Sequence, residues 1–149
     1  MADFVKGGAA RTPFGKNQYL RSTKLKLTES YTFAKGAIPT ETIDGDTQKV
    51  LQPGTVIAKI TSTADVGKVG VFDSTAADGR QTAANIVGIC DTFVPWQLLE
   101  RDVEVSVVYA AACKQSWCFE YVAGVRTALT GGTVTAIMAI NRLRDLTFA

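Results

Sequence analysis

Four short runs dominated by valine and isoleucine, "TVIAKIT" from Thr55, "VGVF" from Val69, "NIVGIC" from Asn85 and "VEVSVVYAAA" from Val103, are separated by stretches rich in Gly, Asp, Thr and Pro. β-Branched side chains are stiff at χ1 and pack well on a pleated surface, so short runs of them bounded by turn residues read as strands. Within 103–107 the period is two. Val103, Val105 and Val107 point one way and Glu104 and Ser106 the other, which predicts one buried and one solvated face. Pro53-Gly54 turns the chain into the first run, and Asp44-Gly45 is a turn inside the polar stretch "PTETIDGDTQKV". A shorter alternating run occupies 30–38, and an aromatic strand is expected around Trp117 to Val122. The chain is predicted to be mainly β.

The period changes only near the C-terminus. After "LTGG", Thr133 can cap a helix, and Ile137, Ile140 and Leu143 then gather on one helical face. Arg142 and Arg144 would occupy the last turn, where cations suit the helix dipole. One helix of about three turns is predicted, followed by a short apolar tail over 146–149. No internal repeat is visible.

A chain of 149 residues is long enough to bury one core without disulfides or a metal. Hydrophobic residues make up 46% and charged residues 20%, and no apolar run approaches the roughly 20 residues of a membrane helix. No membrane role is expected. The first residues, "MADFVKGGAARTPFGKN", lack the continuous apolar stretch of a secretion signal, which predicts a chain made and kept in a cytosol.

Charge is unevenly distributed. Residues 1–27 hold Lys6, Arg11, Lys16, Arg21, Lys24 and Lys26 against Asp3 alone, a net of +5, and the remainder of the chain carries −3. Glycines at 7, 8 and 15 and Pro13 leave this segment without helical or strand periodicity, so it reads as an extended N-terminal arm, 1–27, ahead of a β-rich domain, 28–149. Phe4, Phe14 and Tyr19 lie between the cations. Such a mixture can stack on bases and neutralise phosphates, or dock on a protein surface, or belong to a tail with no partner.

The chain contains no histidine, which excludes imidazole general bases, Ser-His-Asp triads, Cys-His pairs and Cys-His zinc sites. Cys90, Cys113 and Cys118 all lie in apolar stretches, so buried reduced thiols are expected rather than a three-cysteine metal site. "GGAARTPFGKN" and "DVGKVG" lack the spacing of a phosphate-binding loop, and "DGDT" lacks the acidic twelfth position of a calcium loop. Glu100 and Asp102 flank a strand entry and read as surface charge as readily as an acid and a base. In "VFDSTAADGRQTAANIVGIC", Asp73, Asp78 and Gly79 have the character of a turn, and Ser74 has no base to activate it. A loop so rich in alanine also suits packing against a neighbour. No catalytic site, cofactor or metal is predicted.

The order of these features carries a resemblance. Pro53-Gly54-Thr55-Val56, then Phe72-Asp73, then Ala77-Asp78-Gly79-Arg80-Gln81-Thr82-Ala83, then Val87-Gly88-Ile89, then the Val-rich run to Tyr109 resemble the lambda gpD-like head decoration proteins of tailed phages. The similarity is clearest over 51–109. It departs at "AAACKQSWCFEY", where a Gly-containing turn is expected, and at "FVPWQLLERD", which is longer than the family pattern. The resemblance implies a small β-clip-like sandwich or barrel with one C-terminal helix, forming a homotrimer on the outer capsid surface of a virion after folding in the host cytoplasm. It implies a structural role, binding and stabilising the major capsid protein lattice, with no nucleic acid required. Phe4, Lys6, Arg11, Phe14, Lys16, Tyr19 and Arg21 are then the expected capsid-binding residues of the arm, and Asp73, Asp78, Arg80 and Thr82 the expected trimer contacts. The alternatives are a nucleic-acid-binding module using the arm, and a trimeric β-clip nucleotide hydrolase.

Overall fold

A computed structural model of the chain describes residues 19–43 and 45–149, apart from the side chains of Thr23, Lys24 and Ile43. The fold is mainly β with one helix near the C-terminus, as the sequence predicts. In chain order the elements are β1 (Leu20–Phe33), β2 (Glu41–Ile43), β3 (Asp46–Gln48), β4 (Val56–Lys59), β5 (Val69–Val71), β6 (Ile86–Cys90), β7 (Val103–Cys113), β8 (Phe119–Val122), β9 (Val125–Ala128), α1 (Gly131–Met138) and β10 (Leu146–Phe148). Strand β1 begins at Leu20, inside the segment expected to be arm, because Leu20 itself belongs in the core.

Strands β7, β1, β5, β4 and β6 run in that order, and β6 returns to pair with β7, closing a five-stranded barrel. Strand β7 holds this together. One of its edges pairs with β1 along its whole length, and the other pairs first with β6, through Cys90 to Val107 and Ile89 to Val108, and then with the parallel β10. Five-strand closure hides most edges, which is how a small β domain avoids pairing with every passing strand.

Two apolar layers follow from this geometry. Phe33, Ile57, Val69, Val71, Val87, Cys90, Val105 and Val107, drawn from all five barrel strands, form the inner cluster. Val56, Ala58, Ile86, Ile89, Val108 and Ala111 face the other way, beneath Leu129, Ile137, Leu143 and Leu146. The period-two reading therefore holds for Glu104, Val105 and Val107 and ends at Val108, because the C-terminal elements cover the outer face of the wall from there on. Strands buried on both faces read as continuous apolar runs, which accounts for "IVGIC".

Gly88 makes the closure possible. Its φ is +148°, the pairing of β6 with β4 slips beside it, and a Cβ there would lie 2.2 Å from the Val108 carbonyl oxygen. Only glycine lets β6 approach β7 this closely. The slip also puts Ile86 and Ile89 in the same layer, three positions apart.

The C-terminal helix differs from its expected form. It starts three residues earlier, with Thr130 rather than Thr133 as the cap: the Thr130 hydroxyl accepts from the Thr133 N–H at 3.3 Å. Buried Glu120 reinforces that end, accepting from the Thr130 N–H at 3.0 Å and from the Thr133 hydroxyl at 2.6 Å. The helix stops at Met138, Ile140 is extended, and a single 3₁₀ turn carries Asn141–Leu143. Arg142 and Arg144 are thus outside the helix. This break lets Ile137, Leu143 and Leu146 all reach the barrel wall while the tail, expected only as an apolar end, becomes β10.

The two remaining hairpins pack across the barrel's loops. Strands β2 and β3 pair antiparallel up to Ile43 and Asp46, with Gly45 at φ +87°, and Asp44 of the expected turn lies outside the described residues. Strands β8 and β9 are joined at Ala123 and Gly124, both at positive φ, and Arg126 of β9 pairs with Glu41 of β2 at 3.0 Å. The Tyr121 hydroxyl donates to the same carboxylate at 3.1 Å.

Candidate functional site

The arm enters the domain at Tyr19. Its ring is 1% exposed, its carbonyl accepts from the Lys114 N–H at 2.6 Å, and its hydroxyl donates to Asp91. Burial, reinforced by the neighbouring carboxylate, pushes the phenol well above its ordinary range. The Lys26 ammonium holds the other oxygen of Asp91 at 3.1 Å. Tyr19 is therefore a buried anchor and not a contact residue of the arm, a correction that follows from its place between the ends of β1 and β7. Arg21, two residues on, is exposed. Phe4, Lys6, Arg11, Phe14 and Lys16 lie outside the described residues.

Beyond the anchor, β1 presents an unusual surface. Its ladder with β7 slips between Ser22 and Lys26, so residues 23–25 have no partner on β7, and residues 25–30 are all exposed. Leu25 and Leu27 are 51% and 45% exposed beside Lys26. On its second edge β1 pairs with β5 only at Phe33, leaving the rest of that edge without a strand among the described residues. An uncovered strand edge carrying apolar side chains is a template for another strand.

The loop over 73–84 is built inward. Asp73 is buried and accepts from the N–H and hydroxyl of Thr75, both at 2.9 Å, and from the Gly124 N–H at 3.4 Å. Asp78 accepts from Arg80 Nε at 3.0 Å, and Arg80 Nη1 donates to the carbonyls of Ala37 and Val71, each at 3.0 Å. The Arg80 side chain is only 11% exposed. Gly79 has φ +107°, and a Cβ there would lie 2.1 Å from Thr61 Oγ1. Asp73, Asp78 and Arg80 thus brace the loop against its own domain. Of the four expected trimer contacts, Thr82 alone is exposed. A one-dimensional reading marks such polar residues as a loop but carries no signal for which way they turn.

All three cysteines are buried and free, and burial pushes the Cys90 thiol up to about 12. Asp102 is engaged away from Glu100: it accepts from Lys68 Nζ at 2.7 Å and from the backbone N–H of Lys35 at 2.9 Å.

A cleft of about 780 Å³ opens between the β2–β3 hairpin and the segment that leads into β7, and Trp96 stands on its wall at 43% exposure. Buried Leu99 lies beneath, and Lys35, Asp46, Gln48 and Glu100 surround the opening. The sequence carries little trace of the cleft, because its walls come from segments far apart in the chain.

Comparison of the chain with models of known protein families, with curated proteins and with solved structures finds no match.

Proposed function

We propose that this chain is a non-enzymatic capsid decoration, or cement, protein that binds the outside of a tailed-phage head as a homotrimer and stabilises the major capsid protein lattice. The order of turns and strands over 51–109 suggests the class, and the observation that carries the reading is the exposed side of β1. A strand from a capsid subunit laid along that edge would gain backbone hydrogen bonds and cover Leu25 and Leu27. The basic segment precedes the Tyr19 anchor in the chain, and its positive charge would complement an acidic shell and favour encounter. A trimer repeats each weak contact around a symmetry axis, so modest individual affinities combine.

In this reading the protein folds in the host cytoplasm and acts on the virion surface by shape and adhesion, without cofactor, membrane or nucleic acid. Thr82 remains available to a neighbouring copy, whereas Asp73, Asp78 and Arg80 shape the loop from behind.

The test is cosedimentation with expanded heads stripped of decoration. Because Tyr19 is buried and β1 begins at Leu20, the informative truncation removes residues 1–18 and leaves the anchor in place. The full chain is expected to bind saturably. The truncation and a Leu25→Asp/Leu27→Asp double variant are expected to bind at least about tenfold more weakly, as loss of multivalent contacts implies. Undiminished binding by both, or steeply salt-dependent binding to DNA without binding to heads, overturns the reading.

A further inference from the structure

We infer that the cleft beside Trp96 is a binding site for a neutral oligosaccharide. Its volume, about 780 Å³, falls in the range of roughly 300–1,000 Å³ typical of small-molecule clefts. Leu99 closes the floor, and Trp96 offers a half-exposed indole on the wall. A flat aromatic surface of this kind packs against the C–H face of a pyranose ring through dispersion and the ring's quadrupole.

The polar groups decide among ligands. Among the described lining residues Lys35 and Lys49 are balanced by Asp46 and Glu100, so this lining carries no net charge to select a phosphate backbone or an acidic peptide. Lys49 Nζ is held by the Lys35 carbonyl at 2.9 Å. The side chains of Asp46, Gln48 and Glu100 make no hydrogen bond or ion pair with another described residue. Carboxylates accept, ammonium groups donate, and an amide does both, which matches sugar hydroxyls that each donate and accept. A neutral, densely hydroxylated ligand uses this mixture; a polyanion does not.

Position fits as well. Lys35 and Gly36 follow the end of β1 and Glu100 precedes β7, whereas Tyr19 and Lys114 mark the opposite end of the same two strands. The eleven residues of β7 separate the two ends by roughly 30 Å. If the arm end faces a shell, as in the function proposed above, the cleft faces outward; the binding itself does not depend on that function.

The experiment uses the full chain with Trp117→Phe, which leaves Trp96 as the single indole. Cellohexaose, maltohexaose and chitohexaose are titrated separately while emission is followed, with a dodecamer of thymidylate and an octaglutamate peptide as rivals. At least one oligosaccharide is expected to give a saturable shift whose midpoint changes less than about twofold between low and high salt, as an uncharged ligand requires. By calorimetry, Trp96→Ala and Gln48→Ala are each expected to weaken that binding about tenfold, with the melting temperature unchanged. No response to any of the three sugars, undiminished binding by Trp96→Ala, or a response to the thymidylate or peptide alone overturns the inference.

Discussion

The hydroxyl of Tyr19 donates to the carboxylate of Asp91, joining the residue before the first strand to the residue just beyond β6. With Lys26 on the second oxygen, the link ties both Tyr19 and β1 to the end of β6. Tyr19→Phe keeps the buried ring and removes the donor, so it is expected to destabilise the fold by about 1–2 kcal/mol. Denaturant unfolding measures this, and an unchanged midpoint would show that the link contributes nothing.

Arg80 and Thr82 separate bracing from docking. Arg80→Ala removes two bonds to carbonyls and leaves Asp78 without its guanidinium partner, at an expected cost of about 2–4 kcal/mol. Arg80→Lys should restore little, since an ammonium cannot span the Asp78 carboxylate and both carbonyls as the planar fork does. Thr82→Ala, at an exposed position, should stay within about 0.5 kcal/mol of the parent. Thermal unfolding of the three variants checks the order, and equal effects at both positions would contradict it.

Gly88→Ala tests barrel closure. The added methyl would meet the Val108 carbonyl at a φ that alanine rarely adopts, so a loss of more than about 3 kcal/mol, or failure to fold, is expected. Gly36→Ala is the control: a Cβ there meets nothing within 4 Å and φ is ordinary, so its melting temperature should stay near the parent's. Comparable loss at both sites would remove the special role of Gly88.

Alkali should destabilise the protein. Burial raises the Cys90 thiol from 9.0 to about 12, and the phenols of Tyr19 and Tyr121 are raised above 10.0, in each case with desolvation as the largest cause. The folded state therefore keeps protons that the unfolded chain releases. The associated stability is fully present below pH 9 and declines as pH rises from 9 toward 12 and beyond. Melting temperatures at about pH 8, 9.5 and 10.5 should fall in that order, and a flat profile would contradict the burial assigned to these groups. In native protein at neutral pH the thiols should also resist an aqueous disulfide reagent until the chain unfolds.

What the amino-acid order determined by itself is local. β-Branched runs between turn dipeptides specify strands wherever they lie, because χ1 restriction and the two-residue period act within a few residues, and β4 to β8 appear close to where those runs are. Gly45, at φ +87°, suits the turn between β2 and β3 for an equally local reason. The tertiary structure decided everything that depends on residues meeting across the chain. Tyr19 looks like part of a basic leader and is buried only because β1 and β7 end on either side of it. Asp73, Asp78 and Arg80 look like an exposed loop and turn inward only because Ala37, Val71 and Gly124 present backbone groups to them. The cleft beside Trp96 gathers segments around residues 35, 48 and 100, which become neighbours through barrel closure, a non-local event that no short stretch of sequence encodes.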